Sequence, residues 1–381
     1  MMKLRRCLAL LAFAAVFMSG PGYAKSLRFA SGYPPNSVAE QAAQKYTQVL
    51  KDETDGALSA RVFSLTLLNL LESSAGVRDG MADAAVVLFP YFPGEYPRIN
   101  MLAEISMLLN AGGEDPAHAG LIFTGAFSEF LFQSCPGCQK ELAAQNQVFL
   151  GSGSTPTLPL LCTTPIREAK DLTGKRVRTS GAQWARWVEE MGATPITMSV
   201  NEIYEGLNQG VVDCTVQTTT ELSIFKLDEV VTDITLGVPG GVFGGSGVNN
   251  MNRDTWRGLS EAERRAVLKA SAVFSAEASW GYDALGAENL AAAKENGINV
   301  HQAGDAFRAA TQAFIDKDVE TIAENYRKRY GVENAAELID AFRPLLQRWQ
   351  DLVGGVESPE QLAQLYWREV FSKVDPARYG M

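Results

Sequence analysis

Residues 171–220 read DLTGKRVRTSGAQWARWVEEMGATPITMSVNEIYEGLNQGVVDCTVQTTT. Residues 175–179 (KRVRT) alternate like a strand, Val177 on one face and Arg176 and Arg178 on the other. Residues 182–191 (AQWARWVEEM) have helical spacing, with Trp184, Trp187, Val188 and Met191 on one stripe and Gly192 as the stop. Residues 201–208 (NEIYEGLN) form a second helix, for which Ser199 and Asn201 offer N-cap chemistry, and Gly210 leads into an apolar strand at Val211 and Val212. Strand, helix, strand, helix, strand is the pattern of a parallel α/β sheet. Ligands of such sheets bind beyond the carboxyl ends of the strands, where Arg178 and the residues after Asp213 fall.

In order and spacing, DLTGKRVR, GATPITM and NEIYEGLNQGVVD resemble the core signature of the DctP-type solute-binding proteins of TRAP transporters, the family-7 extracytoplasmic solute receptors. Residues 77–87 (VRDGMADAAVV) fit a second phrase of that family. The resemblance implies an α/β, two-domain periplasmic-binding-protein-like fold with a long helix spanning both domains. It implies capture of a small organic acid and its delivery to the membrane permease subunits of a TRAP transporter. It makes Arg178 the residue that grips the ligand carboxylate. Chemistry agrees, because a carboxylate taken from water needs a fixed planar donor pair, and arginine supplies a fork that lysine lacks. Taken alone, Arg178 could equally pair with a surface acid.

The sequence departs from the family in two ways. Cys214 stands where a glycine is usual, and Gln217 where an asparagine is, so the amide is kept but reaches further. A second arginine on the preceding strand is replaced by Leu158 or its neighbours in TLPLLCTT. This favours an acid with one carboxylate and an uncharged, bulky or aromatic remainder. Gln183, Trp184 and Phe243 are weaker candidates for lining the pocket, as are Phe89 and Tyr91 in the aromatic loop LFPYFPGEYP at residues 88–97.

With 381 residues, 46% hydrophobic and 20% charged, the chain can hold two domains. At the N-terminus, Lys3, Arg5 and Arg6 precede an apolar run from Cys7 to Met18 and the small-residue site Gly22-Tyr23-Ala24. This reads as a cleavable signal peptide, residues 1–24, with a mature periplasmic chain from Lys25. Cys7 sits inside the apolar run, which argues against a lipid anchor. Losing the leader leaves 31 basic against 44 acidic side chains, a net of −13. That charge argues against nucleic acid or an anionic membrane as partner. No direct membrane insertion is expected.

Expected boundaries are domain I at residues 25–155 plus about 244–283, domain II at 156–243 plus about 284–332, and a C-terminal helical extension at 333–381. The extension could cover domain II or support dimerisation. The glycine-rich stretch GVPGGVFGGSGVN, residues 237–249, lacks nucleotide-binding spacing and reads as a crossing between domains. Residues 266–296 contain no proline; this is the family's long helix, or two helices broken near Gly281 or Gly286.

Of the cysteines left after leader removal, Cys135 and Cys138 (CPGC) read as a local disulfide, and pairing of Cys162 with Cys214 stays open. Only His118 and His301 are present, neither at ligand spacing, so no metal or other cofactor is expected. There is no GxSxG elbow, and an enzyme is not expected. The alternatives to transport are a sensory binding protein feeding a receptor and an exported thiol oxidoreductase using Cys135 and Cys138.

Overall fold

A computed structural model describes residues 24–110 and 116–381. The leader expected at residues 1–24 lies outside this range except for Ala24, and Lys25 opens the first strand. The chain begins with β1 (Lys25–Ala30), α1 (Val38–Glu53), β2 (Leu58–Phe63), α2 (Ser73–Arg78) and β3 (Ala84–Leu88). Ser37 caps α1 by accepting from the Glu40 N–H, while Glu40 turns back to the Asn36 N–H. Next come α3 (Pro97–Glu104), α4 (Ala119–Gln133), α5 (Pro136–Ala144), β4 (Gln147–Phe149) and β5 (Ser152–Gly153). The sequence reading had no helix at α5, which Cys135 caps through its Sγ and Pro136 starts.

The central stretch folds as β6 (Leu160–Cys162), β7 (Arg176–Thr179), α6 (Ala182–Glu190), β8 (Thr194–Thr197), α7 (Ile203–Asn208), β9 (Cys214–Val216), α8 (Glu221–Ile224) and β10 (Asp233–Leu236). β7 lies parallel between β8 and β9, as the alternation predicts. The strand expected at Val211 and Val212 begins instead at Cys214. Both valine N–H groups are used by the Gly206 carbonyl in the turn that ends α7, with Gly210 at φ +64°.

The chain closes with β11 (Ser246–Asn252), α9 (Arg253–Arg257), α10 (Glu261–Glu295), β12 (Asn299–Gln302), α11 (Asp305–Tyr330), α12 (Ala335–Val353) and α13 (Pro359–Glu369). One sheet has the order β2-β1-β3-β11-β4, with β5 paired to β11. The other has the order β12-β10-β6-β9-β7-β8. Three segments join the sheets: one runs from β11 to β12 through α10, and the other two run side by side, the Leu158 N–H donating to Gly241 O and the Gly240 N–H to Leu158 O. Gly240 and Gly241 adopt φ +76° and +73°, and an added Cβ would press on Asn110 or Met107. The glycines of this stretch therefore serve a tight crossing.

α10 is unbroken over 35 residues, about 52 Å at helical rise. Its glycines are points of close approach. A Cβ on Gly281 would strike Val38 of α1, and one on Gly286 would strike Thr220. Thr219 and Thr220 donate to the carbonyls of Gly286 and Tyr282, and Asn289 donates back to both threonine carbonyls. The helix thus packs on α1 in one lobe and is bonded to the segment after β9 in the other.

The C-terminal helices lie on the first lobe, α12 against α4 and α13 against α10. They do not cover the second sheet. Trp349 of α12 is fully buried on Gly125, where an added Cβ would lie 2.2 Å from its ring, and its Nε1–H donates to Glu129. Tyr366 donates to Leu121 O, and Tyr379 to Phe149 O. Trp349→Ala is expected to cost roughly 3–5 kcal/mol in urea unfolding through the cavity it leaves. A loss below about 1 kcal/mol would show the extension to be loosely attached.

Candidate functional site

Where the strand ends of the two sheets face each other, a cavity lies between the lobes. The first lobe contributes Tyr33 after β1, Leu88 and Tyr91 after β3, and Gly153, Ser154 and Thr155 after β5. The second contributes Arg178 and Ser180 from β7, Val200, and Gln217 and Glu221 after β9. Phe243 comes from the crossing, and Phe274, Ala278 and Tyr282 from α10. Ala39, Val86, Val248 and Ser246 complete the walls, so the lining is largely apolar with a few polar groups converging on it.

Arg178 is fully buried. Its Nε donates to Met198 O at 3.0 Å and its Nη2 to Tyr91 Oη at 3.4 Å, but Nη1 has no partner. Tyr91 Oη also accepts the Val200 N–H at 3.0 Å, so one phenol from the first lobe engages two residues of the second. Burial lowers the Arg178 pKa, and Tyr91 counteracts it. A guanidinium stays charged even so, so the cavity holds a cation with part of its fork unsatisfied. Among the residues lining the cavity it is the one cation.

Glu221 is also buried and faces the cavity, and its Oε2 has no partner. Burial raises its pKa from the ordinary 4.5 to about 8, against the pull of Arg178. Near neutral pH the carboxyl is therefore mostly protonated and leaves the charge of Arg178 uncancelled. Burial likewise raises the phenols of Tyr33 and Tyr282, which stay neutral. Ser154 Oγ and Ser180 Oγ are further polar atoms of the lining with no partner, and Tyr282 Oη lies near Glu221 and the Tyr33 phenol without a hydrogen bond of ordinary geometry.

Among the expected site residues, the structure brings Arg178, Gln217, Tyr91 and Phe243 together on this cavity. Gln217 spends its Oε1 on the Thr218 N–H, which leaves its amide –NH2 as the donor to offer. Trp184 stands behind Phe243, stacked at 6.3 Å, and its Nε1–H donates to Gly240 O. Phe89 is turned into the first lobe's core, its ring 4.9 Å from that of Tyr96. Gln183 faces a separate cleft with Glu104 and Tyr326, and Leu158 another with Pro239 and Arg308. These four do not line the cavity; a strand or helix end near a pocket still has two sides, and pattern alone does not say which side faces in.

Tyr33 and Glu221 were not anticipated, although both follow strand ends, at GYPP and TTTE. The strand-end rule that pointed to Arg178 could have found them. Nothing in the helical pattern around Tyr282 marks it out.

The CPGC pair is a disulfide buried beneath the first lobe's surface, with Cys135 2% and Cys138 0% exposed, which closes it to dithiol exchange. Cys162 and Cys214 are bonded across β6 and β9, where they sit opposite each other. No helix among the described residues is long and apolar enough to cross a membrane.

The family model DctP, bacterial extracellular solute-binding protein family 7, matches residues 29–325. The 2,3-diketo-L-gulonate-binding periplasmic protein YiaO of Escherichia coli K12 is 29% identical over 218 residues, which cover 56% of this chain and 62% of that protein. The chain thus matches about three fifths of that relative's length. Two solved structures share the fold. One is a marine metagenome TRAP solute-binding protein specific for aromatic acid ligands, at TM-score 0.71 and 19% identity, covering 85% of this chain and 99% of that one. The other, from Rhodoferax ferrireducens T118 with copurified benzoate, has a TM-score of 0.72 at 16% identity, covering 87% and 100%.

The raised pKa of Glu221 sets a pH dependence. Between pH 4.5 and about 8 the folded protein holds a proton that the unfolded chain has released, so stability falls as pH rises through that window. Glu221→Gln removes the penalty, by no more than about 5 kcal/mol. Its melting temperature should match wild type near pH 4.5 and exceed it increasingly up to pH 8.5. A difference that does not change with pH would show that Glu221 ionises normally.

Proposed function

The chain belongs to the bacterial extracellular solute-binding proteins of family 7, and from that membership we propose that it binds a small organic acid through Arg178 and passes it to the membrane subunits of a TRAP transporter. The observation that carries this reading is a fully buried guanidinium, with Nη1 unpaired, in the wall of a largely apolar cavity. Such a group is costly until an anion completes it, and a carboxylate matches its planar geometry. With Arg178 as the one lining cation and Glu221 protonated near neutral pH, the cavity calls for a single negative charge. A dicarboxylate would leave one charge unmatched. The apolar wall of Val86, Leu88, Val248, Phe243 and Phe274 suits an uncharged, bulky or aromatic remainder. Structural relatives that bind aromatic acids and benzoate agree with that class.

Release goes with separation of the two lobes, because both supply the cavity's walls. The paired crossing near Leu158 and Gly241 is the natural hinge, with Tyr91 the contact that breaks. In this reading the domains are residues 25–155 with about 244–283, and 156–243 with about 284–332. Neither histidine nor cysteine lines the cavity, and Ser154 and Ser180 have no base beside them there, which supports a receptor rather than an enzyme. The signal peptide read at residues 1–24 supports a periplasmic location, the compartment in which a permease partner is met.

A thermal-shift series with benzoate, phenylacetate, mandelate and succinate tests the reading. Monocarboxylates at about 1,000 times Kd should stabilise the wild type by about 4 kcal/mol. Succinate should do so far less. Arg178→Ala should abolish the shift, and Arg178→Lys should restore little of it, because a point charge does not replace the fork. A full shift in Arg178→Ala, with folding verified by circular dichroism, would remove Arg178 from the site.

A further inference from the structure

Glu221 has no role in gripping a carboxylate, yet it is a buried acid with an unpaired oxygen on the same cavity wall. Keeping such a group is costly unless a bound molecule uses it. It is the first residue of α8, beyond the carboxyl end of β9, and Tyr282 of α10 and Tyr33 after β1 border the same space. α10 is held to this segment by the Thr220-to-Tyr282 and Thr219-to-Gly286 hydrogen bonds, which set where the Tyr282 ring leaves its helix. Tyr282 Oη, like Glu221 Oε2, makes no hydrogen bond of ordinary geometry, although Tyr282 lies close enough to both Glu221 and the Tyr33 phenol to interact with them. These loosely paired polar groups, one a carboxylic acid and the others phenols, amount to a hydrogen-bonding end in a largely apolar chamber.

We infer that Glu221 and Tyr282, with Tyr33 beside them, form a second polar subsite that reads an uncharged hydroxyl on the acid held by Arg178, so that the protein prefers hydroxy-substituted monocarboxylic acids to their deoxy counterparts. The inference rests on the proposed carboxylate grip of Arg178. A hydroxyl suits the subsite because it can donate to one partner and accept from the other. A site built to bond a hydroxyl rejects the analogue lacking it, because its own buried groups are then left unpaired. The charged and titratable groups that share the cavity with Glu221 are Arg178 on β7, Tyr91 after β3, Tyr33 after β1 and Tyr282 on α10. An incoming carboxylate adds negative charge near Glu221 and strengthens its hold on the proton.

Isothermal titration of the mature protein with 3-hydroxybenzoate against benzoate, and with mandelate against phenylacetate and phenylglycine, tests this. At pH 7 the wild type should favour the hydroxy acid at least tenfold in at least one pair, and mandelate should outrank phenylglycine, which carries an ammonium in place of the hydroxyl. Glu221→Leu, and separately Tyr282→Phe, should bring that ratio below about threefold, while Glu221→Gln, which keeps a neutral hydrogen-bonding group, should retain most of it. Wild-type affinity for the hydroxy acid should weaken from pH 7 to pH 9, and that of Glu221→Gln should stay level. Tyr282→Phe removes a single oxygen and serves if Glu221→Leu does not fold. A tenfold preference that survives in Tyr282→Phe and in a folded Glu221→Leu overturns the subsite, as does a wild type that ignores the hydroxyl or prefers phenylglycine. If none of these acids binds the wild type, or if they bind Arg178→Ala equally well, the carboxylate reading itself falls and the subsite with it. Binding that needs Arg178 but ignores the hydroxyl overturns the subsite alone.

Discussion

A guanidinium taken out of water with one of its nitrogens unpaired is the constraint on which this architecture turns. Arg178 can be held that way only because β7 is flanked on both sides by parallel strands, and because Met198 O and Tyr91 Oη satisfy the rest of its fork. Those two partners come from opposite lobes. The same side chain thus links the lobes while keeping Nη1 unpaired. Burial, normally a cost to a charge, here makes any carboxylate that reaches Nη1 interact in a low-dielectric setting where its attraction is strong.

Holding that arrangement requires two lobes that can part without losing their register. α10 meets the requirement as one continuous rod, seated on α1 by Gly281 and on the segment after β9 by Gly286. The paired crossing, capped by the Trp184-to-Gly240 hydrogen bond and packed against Asn110 and Met107, restrains the other edge. The C-terminal helices add mass to the first lobe alone. Trp349 on Gly125, with Arg348 bridging Glu129 and Glu369, fastens them there.

The two acids nearest in purpose to Arg178 illustrate how environment assigns roles. Asp213, half in water and bonded by the Arg176 N–H and side chain, is held below the usual carboxylate range despite its partial burial. Glu221, eight residues on, has only the Tyr282 phenol and the pull of Arg178 against its burial, and burial drives it the other way. The two ends of β9 therefore carry an ionised structural acid outside the cavity and a neutral one inside it.

Local pattern was enough for much of this. The alternation in KRVRT, the tryptophan stripe of α6 and the Ser37 and Ser260 caps all act within a few residues, and each element formed as its spacing required. The strand-end rule, joined to the family signature, was enough to single out Arg178, and Gln217, Tyr91 and Phe243 reached the cavity with it. What pattern could not decide was facing and pairing at a distance. Phe89 and Tyr91 share one short turn, yet one ring enters the core and the other the cavity, because neighbouring side chains leave the backbone in different directions. Gly281 and Gly286 could have broken α10, and only the chains pressed against them explain why it runs through. Tyr282 and Glu221 meet on one wall through packing between residues 61 apart in sequence, which no local periodicity encodes. The sequence by itself determined most of the elements and set Arg178 at a strand end; the tertiary structure alone decided which polar atoms are left unpaired around it, because desolvation depends on everything a group is buried against.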